Sequence, residues 1–232
     1  MATQYAFGKI VTNGLVLALD AADKNSYPGS GTTWSNLAGS NNGTLTNGPT
    51  FNSANGGSIV FDGTNDILYV PISLNTSGNH TIEVIAKCNT MTSDNGNRQT
   101  IWSLNNGTEG YQLLDLEVWG DNAYSFNGNG TSFTGGPATV ANFIQANNIH
   151  FYTLSISGGV FNWYIDSILI NSFTPTYTGT STYFKLATRG ADALGTGQQW
   201  NGLVFNCKIF NRALSTQEIL QNYNAQKSRF NL

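Results

Sequence analysis

In the stretch from Thr81 to Cys88, Ile82, Val84, Ala86 and Cys88 fall on every second position, the pattern of a strand with one face turned into a core. About a dozen short runs of this kind follow one another along the chain, separated by clusters of Gly, Asn, Thr and Ser, which is how a two-sheet sandwich is written. They include Gly14 to Asp20, Ser58 to Phe61, Ile67 to Val70, Gln99 to Leu104, Tyr111 to Trp119 and Gly202 to Phe210. Gly158-Gly159 joins Phe151–Ser157 to Val160–Ile165 as a two-residue hairpin. Asp166-Ser167 marks a second tight turn, with serine a poor fit to the positive φ that such a turn wants.

Charged residues are 10% of the 232, against 40% hydrophobic residues and 26 glycines. So few charges exclude a coiled coil, a long surface helix or a disordered chain. A net charge of −3 with no run of Lys or Arg leaves no electrostatic footprint for nucleic acid or an anionic membrane. No window reaches the length of a membrane span, and Met1 to Ile10 lacks the basic and apolar regions of a signal peptide. The expectation is synthesis in a cytoplasm, with any outside surface reached by another route such as cell lysis.

One helix stands out. Ser215-Thr216-Gln217-Glu218 reads as a capping box, with Leu214 and Ile219 as hydrophobic staple and Ile219, Leu220 and Tyr223 as apolar stripe. No composition break marks a linker, so residues 13–226 read as one domain between an arm (1–12) and a tail (227–232). Cys88 and Cys207 lie on apolar alternation and read as reduced core thiols. His80 and His150 are the only histidines, and their spacing supports no metal cluster. Trp102, Trp163 and Trp200 read as core.

Chemistry concentrates in Tyr111 to Trp119. Leu114, Leu116 and Val118 would face the core; Tyr111, Leu113, Asp115, Glu117 and Trp119 would form a polar and aromatic surface on the other side. Paired carboxyls on one strand face are the raw material of a glycoside hydrolase. They serve binding equally well: Tyr111 and Trp119 would stack on sugar rings while Asp115 and Glu117 accept hydroxyl hydrogen bonds. A subunit contact or a solvated sheet face accounts for the same residues. Asp62, Asn65 and Asp66 offer oxygen ligands of the kind calcium takes, but Asx-turn hydrogen bonding explains them without a metal, and no cofactor is expected.

The opening, Gly14 to Ala22, Ser26 to Trp34, Asn41 to Leu45 and Gly57 to Gly63, resembles that of laminin-G-like domains in the concanavalin A-like lectin/glucanase superfamily. The closing segment, Trp200-Asn201-Gly202 through Ile209 to Ile219, resembles their last strand and helix. The resemblance brackets nearly the whole chain and implies an all-β, two-sheet antiparallel jelly-roll sandwich with one short C-terminal helix. It is similar in particular to proteins of tailed phages, which implies a place on the virion surface, capsid or fibre subunits as partners, and a possible homo-oligomer. Where family members read Asp-Leu-Ser-Gly, this chain has Asn36-Leu37-Ala38-Gly39, which weakens a calcium site there. The superfamily's glucanases carry Glu-x-Asp-x-Glu on one strand, with nucleophile first and acid/base last. Aligned on Asp115 and Glu117, the nucleophile's place holds Leu113. The reading is therefore a non-enzymatic virion structural protein, with a carbohydrate-binding adhesin for host glycan as alternative and a glucanase-like hydrolase as a remote one.

Overall fold

The computed structural model describes residues 8–90, 98–106, 112–119, 123–128, 131–135, 145–175, 179–189 and 198–232. Among these, two antiparallel sheets are formed. Strands are numbered along the chain. The first sheet is ordered β14 (Ile168–Phe173), β13 (Val160–Ile165), β12 (Ile149–Ser157), β7 (His80–Cys88), β16 (Asn201–Phe210), β5 (Ser58–Asp62) and β4 (Thr50–Asn52), with β1 (Leu15–Asp20) also pairing β16. The second is ordered β11 (Thr131–Gly135), β10 (Ala123–Gly128), β9 (Gln112–Trp119), β8 (Gln99–Asn105), β15 (Tyr183–Leu186), β6 (Ile67–Val70), β3 (Gly43–Thr46) and β2 (Thr33–Trp34).

The alternation seen in the sequence decides which faces meet. One core cluster takes Ile82, Val84, Ala86 and Cys88 from β7, Cys207 from β16, and Leu114, Leu116 and Val118 from β9. Trp34, Trp102, Trp163 and Trp200 are fully buried, and Trp163 stacks on Tyr152 with ring centroids 6.0 Å apart. Cys88 and Cys207 are both free and buried, and burial pushes the Cys88 thiol up to about 11. Asp166 and Ser167 both take positive φ, 51° and 67°, so the turn between β13 and β14 is of the primed kind despite its serine.

The outer face of the first sheet is covered by α1 (Thr216–Gln226), which begins with the expected capping box on Ser215 and Glu218. Leu214 and Ile219 pack together with Val11, Tyr164 and Phe210, but Leu220 is exposed. Asn222 takes the inward position instead, because the surface beneath is polar: its Nδ2 donates to both Glu83 oxygens and its Oδ1 accepts from the Val11 N–H at 2.7 Å. Lys208 Nζ donates to Asn206 Oδ1 and Gln226 Oε1 in the same layer. Burial pushes the Glu83 carboxyl up and the Lys208 ammonium down, and the attraction between them opposes both shifts.

The segments set apart as arm and tail join this layer where they are described. Gln221 holds the Lys9 carbonyl, while Lys227–Phe230 forms a 3₁₀ turn that buries Phe230 against Phe151 and Phe205. Arg229 closes the turn onto Asp20 and the carbonyls of Asn55 and Gly57. No described helix is long and apolar enough to cross a membrane.

Candidate functional site

The site is the face of the second sheet turned away from the core. Strand alternation on β9 sends Leu114, Leu116 and Val118 inward, which leaves Asp115 and Glu117 side by side on that face. Cross-strand pairing surrounds them with small polar groups: Thr100 and Ser125 sit opposite Glu117, and Ser103 sits opposite Asp115. Beyond Ser103 comes Lys185, whose ammonium lies 5.2 Å from the Tyr69 ring centre.

The expected solvated surface is not what these carboxylates form; both side chains are completely enclosed. Two arginines account for this. Arg98 Nη1 lies 3.2 Å from Glu117 Oε2, which also accepts from Ser125 Oγ at 3.2 Å. Arg189 Nε lies 3.3 Å from Asp115 Oδ2 and 3.7 Å from Glu117 Oε1, and Arg189 Nη1 donates to Gln198 Oε1. A buried carboxylate is tolerated only with such partners, so each arginine compensates a charge that the sheet face alone would leave stranded. Thr100 Oγ1 and Asn105 Nδ2, on the same face, have no hydrogen-bond partner among the described residues.

Leu113 shows a further departure. The β8–β9 register shifts between Leu104 and Asn105, and Leu113 packs at the edge of the core against Gly179, where an added Cβ would come within 2.7 Å of Leu113 Cδ2. Tyr111 lies outside the described residues, as does the side chain of Trp119, so the aromatic half of the expected sugar site carries no structural statement.

The other candidates resolve into turn chemistry. Asp62 Oδ1 accepts from the N–H groups of Thr64 and Asn65, and Asp66 Oδ2 accepts from the Asp62 N–H at 3.0 Å. Asn65 contributes its carbonyl to the Asn47 amide. Burial, reinforced by the neighbouring Asp62 charge, raises the Asp66 carboxyl, with the Asp62 N–H opposing. Among the described residues no group of three or more His, Cys, Asp or Glu is placed to hold a metal. Asn36 shows why no acid is needed in its loop: its Oδ1 accepts from Ala18 and Ala38, and its Nδ2 donates to the Val16 carbonyl, which a carboxylate cannot do.

Sequence reasoning missed Arg98, Arg189 and Lys185. A signal existed, since the chain has only ten Lys and Arg and each of these lies in or beside a strand.

Residues 61–220 match the family model Laminin_G_3, described as concanavalin A-like lectin/glucanases superfamily. The chain belongs to this superfamily. Its jelly-roll sandwich recurs in solved structures. Trypanosoma rangeli sialidase in complex with sialic acid superposes with a TM-score of 0.69 at 13% identity, over 93% of this chain and 33% of the sialidase. The botulinum neurotoxin serotype D binding domain gives 0.70 at 14% identity, over 93% of this chain and 53% of that one. The receptor binding domain of the botulinum neurotoxin C/D mosaic serotype gives 0.68 at 15%, over 93% and 52%. This lectin-like domain thus spans about a third to a half of the proteins it resembles, and at these identities the likeness is one of fold. No curated protein matches the chain.

Proposed function

We propose that this lectin-like domain is non-catalytic and serves as a structural and recognition module on the surface of a phage particle. The observation that carries the non-catalytic part is the engagement of Asp115 and Glu117 by Arg98 and Arg189 in an enclosed setting. A glycosidase needs one carboxyl to deliver a proton to the leaving oxygen and a second to attack or activate water, each open to the sugar. Here both candidates face guanidinium groups, and Leu113, in the nucleophile's place, is packed against Gly179. The virion setting rests on the phage-like wording of the opening segment. A second reading, a glycan-binding adhesin, draws on the company the fold keeps: one neighbour is solved with sialic acid and two are named as binding domains.

Incubation of the protein with laminarin and lichenan, followed by a reducing-sugar assay, tests the first claim. No turnover is expected; hydrolysis that disappears in Glu117→Gln would replace it with an enzyme. Particles assembled without residues 1–12 should lack this chain, and full incorporation of the truncated form would remove the arm from the account. A glycan array probed with wild type and Trp119→Ala tests the adhesin, which a blank array rejects.

A further inference from the structure

Lys208 on β16 lies beneath α1 and is only 4% exposed. Its Nζ donates to Gln226 Oε1 at 2.8 Å and to Asn206 Oδ1 at 2.9 Å, so the groups around it are neutral amides. Among the described residues no carboxylate forms an ion pair with it. Glu83 stands opposite Lys208 across the β7–β16 ladder, but both of its oxygens accept from Asn222 Nδ2. A buried ammonium with no directly paired anion is costly, and the cost falls away when it gives up its proton.

The Gln226 amide beside it is held at both ends. Its Oε1 accepts a second hydrogen bond from Asn206 Nδ2 at 3.0 Å, and its Nε2 donates to the Asn222 carbonyl at 2.9 Å. Asn206 is fully buried, whereas Gln226 is half-buried at the solvent edge of the layer. A buried amine therefore meets a carbonyl that is polarised by a second donor and opens toward water on its far side.

This arrangement can form a bond. Burial pushes the Lys208 ammonium down and the Glu83 carboxyl up, against the attraction between them. Moving one proton from Lys208 to Glu83 replaces two buried charges with two neutral groups. The freed Nζ lone pair attacks Gln226 Cδ, while Asn206 Nδ2 stays on Oε1 and stabilises the negative charge that develops there. The Nζ–Cδ bond forms and the Cδ–Nε2 bond breaks. A second Nζ proton passes to Nε2, which departs to solvent as ammonia, and Glu83 keeps the first. No oxidant or co-reactant is required; fixed proximity supplies what free amine and amide lack.

We propose that Lys208 and Gln226 join in an intramolecular amide cross-link that fastens α1 covalently to β16. The two residues are 18 positions apart, so the bond would close the end of the last strand and the helix into one loop. Neither belongs to the sheet face that carries Asp115 and Glu117, so the cross-link stands apart from the reading of that face.

Mass spectrometry of the full chain, held in native buffer until its mass is constant, tests this. The intact mass should be lower by one ammonia, trypsin should no longer cut after Lys208, and Lys208 and Gln226 should appear in one branched peptide. Lys208→Met and Gln226→Met should each retain the full mass, and Asn206→Leu should slow the loss about a hundredfold, the weight of one oxyanion donor. If these variants fail to fold, the wild-type peptide map decides alone. An unchanged wild-type mass would overturn the proposal. So would an ammonia loss that maps to a cyclic imide at an Asn-Gly pair such as Asn55-Gly56, or a bond from Lys208 to Asn206 in place of Gln226.

Discussion

Asn222 on α1 donates to both carboxylate oxygens of Glu83 on β7, at 3.1 and 3.0 Å, and so ties the C-terminal helix to a charge buried in the sheet beneath it. The same side chain accepts from the Val11 amide, so one residue joins helix, sheet and N-terminal segment. Asn222→Leu should cost about 3 kcal/mol, because it leaves a buried carboxylate short of a donor and a buried amide without an acceptor. Paired with Glu83→Gln, the loss should be clearly less than additive in chemical denaturation.

His80 gives the fold an acid limit. Burial lowers its pKa from 6.5 to about 4, so between those values the unfolded chain takes up a proton that the folded one refuses. Stability is therefore full above pH 6.5 and falls as pH drops toward 4, by about 3 kcal/mol in all from this group. Urea melts across that range should show the decline in wild type and a much flatter one in His80→Gln.

Gly202 lies directly on the Lys87 carbonyl, and a Cβ there would overlap that oxygen and approach Trp200 Nε1 at 2.9 Å. Both obstacles are rigid, one being backbone and the other a buried ring. Gly202→Ala should cost about 3 kcal/mol or more by forcing β16 away from β7, seen as a fall in melting temperature or loss of soluble protein.

Burial raises the pKa of both Cys88 and Cys207. Neither thiol should react with a disulfide reagent in the native protein, and both should react after denaturation. Rapid native labelling of either would contradict the packing described.

Much of this architecture was legible beforehand because strand faces and helix caps are local devices. Period-two spacing placed Ile82, Val84, Leu114 and Leu116 in the core, and Ser215 with Glu218 marked the helix start to the residue. Local pattern was a poorer guide to the helix face: Leu220 fitted an apolar stripe yet is exposed, since the sheet below offers Glu83 and Lys208 and selects Asn222. The candidate site divides in the same way. That Asp115 and Glu117 share one face follows from alternation, but that face being closed does not.

From the order of its residues alone, this chain specifies a two-layered antiparallel sandwich, its inward side chains, its turns and one capped helix, because each depends on neighbours a few positions apart. Tertiary structure alone brings Arg98 and Arg189 onto Asp115 and Glu117, and Asp166 onto His150. Those partners lie 16 to 74 positions apart, and only the pairing of strands turns such separations into contact between side chains.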